Sequence, residues 1–146
     1  ALSGSISEGS SVLSALALGA DFAYVGTKFI ATEEANASPG YKQMIIDSTA
    51  DDIMYSATFT GVNGNYLRPS VEAAGLNPDE HMSGSKDDMN FSTSAIAKKD
   101  NSSKAWKDIW GSGQGIGSIK NAPSVEDAVN QMVSEYDDAK SRLESF

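Results

Sequence analysis

Cysteine is absent from this 146-residue chain. That excludes disulfides, Cys-ligated zinc, iron–sulfur clusters and thiol nucleophiles. It also leaves the redox compartment unmarked, so a cytoplasmic location is the default expectation. Basic residues are scarce: 11 Lys and Arg stand against 20 Asp and Glu, for a net charge of -9. A duplex-binding surface needs clustered Lys and Arg, so no nucleic-acid partner is expected. Anionic membrane surfaces are equally disfavoured. A small anion is not excluded, because backbone N–H groups can hold a phosphate without a cationic side chain. Long apolar runs are also lacking. The longest, "VLSALALGADFAYVG", is broken by Ser14, Gly19 and Asp21. It falls short of the ~20 residues that span a bilayer, and no basic segment leads into it as in a secretory signal.

The residues that are present have globular character. Apolar types make up 40% of the chain, neither a disordered nor a membrane composition. The length fits one domain, and a complete domain of that size buries roughly 70% of its unfolded surface. The opening "ALSGSIS" reads as the tail of a strand running into a turn. Ser5 and Glu8 have capping-box spacing, and either Ser5 or Ser7 is suited to the N-cap. Helix formers follow from Ser10 to Leu18, with Val12, Leu13, Leu16 and Ala17 on an apolar face and Gly19 as the stop. "DFAYV", residues 21–25, suits a short buried strand closed by Gly26-Thr27. A helical turn then starts at Thr27. Strand, helix, strand, helix with short connections implies a parallel sheet and an α/β fold.

Pro39 opens a further helix to about Ser48, with Tyr41, Met44 and Ile45 on one side. "DDIMYSATFTG" is compatible with either a strand or a helix. Residues 61–104 are rich in Gly, Asn, Asp, Ser and Lys. They read as a long irregular excursion in which "SVEAAGL" forms a short helix; such loops are usually functional or mobile. Pro123 and Ser124 precede an amphipathic helix; Ser124 and Asp127 form a capping-box-like pair, and Val125, Ala128, Val129, Met132, Val133, Tyr136 and Leu143 keep 3.6-residue spacing.

Gly4 and Gly26-Thr27 are separated by about one βα unit. On parallel neighbouring strands both turns emerge at one sheet edge. Gly lets a ligand approach the backbone, and helix N-terminal amides point at it. Thr27 adds a hydroxyl, completing a phosphate cradle at the strand ends, where barrel enzymes hold phosphate-bearing cofactors. The plainer alternative is that these glycines only make tight turns. The run "GSGQGIG" fails the dinucleotide fingerprint, because its glycines fall on every second position; it reads as a flexible or tightly turning loop. Trp106 and Trp110 suit packing on one face. His81, the one histidine, has no orienting partner nearby and reads as a surface residue. Asp51-Asp52 and Asp87-Asp88 read as solvated charges, and no metal site is expected.

Three stretches, "SGSIS.G...LSALALGADFAYVGTKFIATEEANA", "YKQMIIDS" and "WGSGQGIGSIK", together resemble the C-terminal half of the nitronate monooxygenases, also called 2-nitropropane dioxygenases. Related flavin enoyl-ACP reductases share the glycine turn and the Gly-Thr core. The resemblance implies the C-terminal part of an FMN-binding (β/α)8 TIM barrel. Residues 1–60 would be its last βα units, 61–122 an irregular insertion or lid, and 123–146 the C-terminal helix. FMN would be held by Gly4, Ser5, Gly26 and Thr27, with Tyr24 and Val25 lining the site. Ser5 stands where the family usually has Gly, and its hydroxyl is a further donor. The family's catalytic His belongs to the N-terminal half, and His81 matches no family motif. The implied reaction is oxidation of alkyl nitronates with O2; the alternatives are an enoyl-reductase-like oxidoreductase and a non-catalytic binding module. A complete barrel needs about 250 residues. The expectation is therefore a fragment or one of two chains, paired with the N-terminal half or joined in a domain-swapped homo-oligomer.

Overall fold

The computed structural model describes residues 1–59, 62–81 and 108–146. The expectations for Trp106, Asp87-Asp88 and residues 82–104 lie outside the described residues, as does the His81 side chain. The elements are β1 (Leu2–Ser3), α1 (Gly9–Ala17), β2 (Ala23–Tyr24), α2 (Thr27–Ile30), α3 (Pro39–Asp47), β3 (Ile53–Ser56), β4 (Gly64–Leu67), α4 (Arg68–Ala73) and α5 (Val125–Glu144). Short 3-10 turns lie at Ala50–Asp52, Pro78–His81 and Gln114–Ser118. They form two compact units, Ala1–Ala50 with Gly113–Phe146, and Asp51–Ser112.

In the first unit β1 and β2 are parallel neighbours, with Leu2 opposite Ala23 and Ser3 opposite Tyr24. The α1 helix that joins them starts differently from the sequence expectation. Its N-cap is Glu8 rather than Ser5 or Ser7. The Ser7 hydroxyl is committed elsewhere, donating to the Gly115 carbonyl at 2.9 Å. Ser11 Oγ instead accepts from the Glu8 amide at 3.1 Å. The helix ends as its glycine predicts. Gly19 is left-handed at φ 90. Its amide bonds Leu16 O and that of Ala20 bonds Ala15 O, the paired bonds that satisfy the last carbonyls.

α1 packs on α5 through a close backbone approach. A Cβ on Gly9 would overlap the Met132 carbonyl oxygen and the Tyr136 amide nitrogen. The Gly9 amide donates to Glu135 Oε2 at 2.8 Å, so a carboxylate takes up the positive end of α1. This contact decides which side of α5 is buried: Ala128 and Ala139 are enclosed, while Val129, Val133 and Leu143 stay exposed. Of the apolar stripe expected from the spacing, Ala128 is buried and Met132 and Tyr136 are half-buried, while its valines and Leu143 face outward. Ser124 caps α5 as expected, accepting from the Asp127 amide at 3.0 Å. Glu34 adds a second cap by accepting from the Val125 amide at 2.9 Å. Ile6, Ala15, Ile45, Ile116 and Ile119 are also buried in this unit.

The described part of the second unit contains regular elements, including the short helix expected within "SVEAAGL". β3 and β4 form an antiparallel hairpin, Ile53 opposite Leu67, followed directly by α4. Met54, Phe59, Val71 and Ile109 form its core, and the Phe59 and Tyr66 rings meet edge to face at 4.9 Å. The compact units divide after residues 50 and 112. β4 takes its partner from residues before 60, and the segment from Gly113 belongs with the first unit.

Candidate functional site

Parallel pairing sends the turns after β1 and β2 to the same sheet edge. There, Gly4, Ser5, Tyr24, Gly26 and Thr27 line one pocket of about 120 Å³, together with Gly113 and Gly115. Val25 is not among the lining residues. It follows Tyr24, and successive strand side chains alternate in direction. The volume is several times the ~30 Å³ that a water occupies in the liquid, enough for a tetrahedral anion.

The backbone at this edge is built to donate. Gly4 has φ 101 and Ser5 φ 53, two consecutive residues in the region that favours glycine. Holding a non-glycine residue there costs about 1–2 kcal/mol, and Ser5 pays that at the position expected to carry Gly. Among the described residues, the backbone N–H groups of Ser5, Gly26 and Thr27 have no acceptor. Thr27 Oγ1 accepts from the Gly113 amide at 2.9 Å, which leaves its own proton available to donate. The first amide of α1 is held by Glu135.

The electrostatics are simple. Neither Asp nor Glu lines the pocket, although the chain carries -9 overall. The neighbouring cation in sequence, Lys28, is only 6% exposed and has no carboxylate within ion-pair distance among the described residues. A separate open hollow of about 450 Å³, walled largely by serines, shares Ser5, Ser7 and Gly115 with the pocket but includes Glu8, whose charge opposes an anion there. Among the described residues no cluster of His, Asp or Glu is arranged to hold a metal. No described helix is long and apolar enough to cross a membrane.

Sequence reasoning missed the part played by "GSGQGIG". It forms a 3-10 turn capped by Gly113, and its contacts reach both strand turns. Its partners lie 86 and 108 residues away in sequence, so no local pattern reveals them.

The described residues are mixed α/β, and two strand–turn–helix units opening on one edge are the repeating grammar of a parallel barrel. The family model for nitronate monooxygenase matches residues 2–135. The chain belongs to the nitronate monooxygenase family. It is 32% identical over 75 residues to a nitronate monooxygenase of Paraburkholderia phytofirmans, covering 51% of this chain and 20% of that protein. It is 26% identical over 150 residues to Rv1533 of Mycobacterium tuberculosis, described as a candidate monooxygenase, covering 98% and 40%. Among solved structures, FabK from Thermotoga maritima superposes with a TM-score of 0.68 at 22% identity, over 98% of this chain and 45% of that one. Nitroalkane oxidase from Streptomyces ansochromogenes gives 0.65 at 24%, over 96% and 40%. The chain thus spans under half the length of each of these relatives.

Proposed function

We propose that the turn pair Gly4-Ser5 and Gly26-Thr27 holds the phosphate of FMN, and that the chain supplies this end of a flavoenzyme oxidising alkyl nitronates with O2. The carrying observation is that Ser5, Gly26 and Thr27, whose amides have no acceptor among the described residues, line one pocket that no described Asp or Glu lines. Amides fixed by two rigid turns bind a dianion without needing side-chain charge. Bound flavin supplies the redox chemistry. This chain's residues bind and orient its phosphate end, and Tyr24 walls the pocket beside it. The family match favours the nitronate substrate.

The rest of the barrel is part of the same reading. β1 and β2 form a sheet of two short strands, and parallel sheets are normally covered on both faces. Leu18 and Phe22 are 80% and 72% exposed. These features support completion of the sheet by the N-terminal half of the protein, in the same chain or as a second one. The FMN-loaded protein should consume O2 when an alkyl nitronate is added. Reduction of an enoyl thioester by NAD(P)H without nitronate turnover would instead establish the enoyl-reductase reading.

A further inference from the structure

We infer that the segment Gly113–Ser118 is a positioning brace that fixes the distance between the two turns, and so sets the preference for a phosphorylated flavin over an unphosphorylated one. This rests on the phosphate reading above.

The segment holds both turns at once. At one end the Gly113 amide donates to Thr27 Oγ1 at 2.9 Å. Two residues on, the Gly115 carbonyl accepts from Ser7 Oγ at 2.9 Å. Ser118 Oγ lies 2.9 Å from Ser7 Oγ and 3.1 Å from the Gly115 carbonyl oxygen. Ser7 is 5% exposed, and its hydroxyl proton is committed to the Gly115 carbonyl. Ile116 and Ile119, fully or nearly fully buried, anchor the segment in the core.

The fit is tight at one point. A Cβ on Gly115 would stand 2.7 Å from Ser7 Oγ and 3.1 Å from the Ser5 carbonyl carbon and oxygen. The segment therefore passes beside the same Ser5 that holds φ 53. A strained residue persists only where its surroundings over-determine it, and Gly115 is one of the neighbours that leave Ser5 no room for a displaced turn. Gly115 thus has a purpose unrelated to a dinucleotide loop. A side chain there would displace Ser7 or Ser5, and the Gly113 amide reaches Thr27.

The phosphate accepts bonds from both turns, and the flavin ring from neither. Moving one turn relative to the other should weaken phosphate binding and spare the ring. The test measures FMN and riboflavin affinities by flavin fluorescence in the full-length protein, for Gly115→Ala and Ser118→Ala. Losing the alignment of one hydrogen bond to a charged group predicts a fall of about tenfold in the FMN-to-riboflavin affinity ratio for Gly115→Ala. Ser118→Ala should lower it about threefold, a fraction of such a bond. Riboflavin affinity should stay within about twofold in both, because riboflavin has no group for the amides to hold. Inorganic phosphate should compete with FMN less well in both variants. If Gly115→Ala does not fold, Ser118→Ala decides alone. A ratio that is unchanged, or both flavins weakening together, overturns the brace. An unmodified protein with no preference for FMN over riboflavin overturns the phosphate reading and the brace with it.

Discussion

Replacing Thr27 by Val keeps the side chain's shape and removes only the hydroxyl. Two interactions go with it. The Gly113 amide loses the acceptor it holds at 2.9 Å, and the pocket loses the one side-chain donor identified on the second turn. A hydrogen bond to a charged group contributes about 1.5–3 kcal/mol. Thr27 is half-buried, so water competes and the lower part of that range applies. At 1.4 kcal/mol per decade, FMN affinity should fall about tenfold to thirtyfold. The amides of Ser5, Gly26 and Thr27 itself remain, so binding is weakened rather than lost. Riboflavin affinity should change by less than about twofold, since riboflavin carries no phosphate. Thr27→Ser keeps the hydroxyl and should bind FMN within about threefold of the unmodified protein. Fluorescence titration with both flavins reads all of this. If Thr27→Val binds FMN as tightly as the original, the hydroxyl does not face the phosphate and the reasoning is refuted.

Other substitutions test the scaffold. Gly9→Ala forces a Cβ into the Met132 carbonyl and the Tyr136 amide and pulls the Gly9 amide off Glu135. Urea unfolding should show a loss of about 2–4 kcal/mol, and an unchanged midpoint would mean that α1 and α5 do not approach so closely. Ser5→Gly removes the cost of φ 53 but makes the unfolded chain more flexible. The same assay should show a change between about zero and +1 kcal/mol, whereas Ser5→Val should lose more than about 1 kcal/mol. A loss on Ser5→Gly as large as that on Ser5→Val would contradict the left-handed turn. Burial raises the Tyr41 hydroxyl above its usual 10.0. The folded state then holds that proton more tightly than the unfolded state. The stability it contributes is present below about pH 10 and declines as pH rises from there through the raised value. Tyr41→Phe should flatten that alkaline decline, and an unaltered slope would assign it to other groups.

How much of this was legible in the sequence depends on how local each signal is. The Gly19 stop, the Pro39 helix start and the Ser124 cap were readable, because each is decided within a few residues. The parallel βα order was readable for the same reason: short strands, good helix formers and turn glycines follow one another directly. The α1 cap was misplaced because Ser7 spends its hydroxyl on Gly115, 108 residues away. The β3–β4 hairpin was hidden by a Gly- and Asn-rich composition. Its stability comes from Met54, Phe59, Val71 and Ile109 packing together, a long-range fact. The apolar stripe of α5 is legible only in part: Ala128, Met132 and Tyr136 lie on its inner side, but the close backbone approach at Gly9 leaves the valines and Leu143 outside. Five of the six expected site residues, all but Val25, meet in one pocket, while the Gly113–Ser118 segment behind them had no local signature.

The most direct measurement is a crystal structure of the protein with FMN bound. The account predicts the phosphate oxygens within about 2.7–3.2 Å of the Ser5, Gly26 and Thr27 amide nitrogens, with the Thr27 hydroxyl donating as well. FMN whose phosphate lies against any other surface, leaving those amides to water, would contradict it.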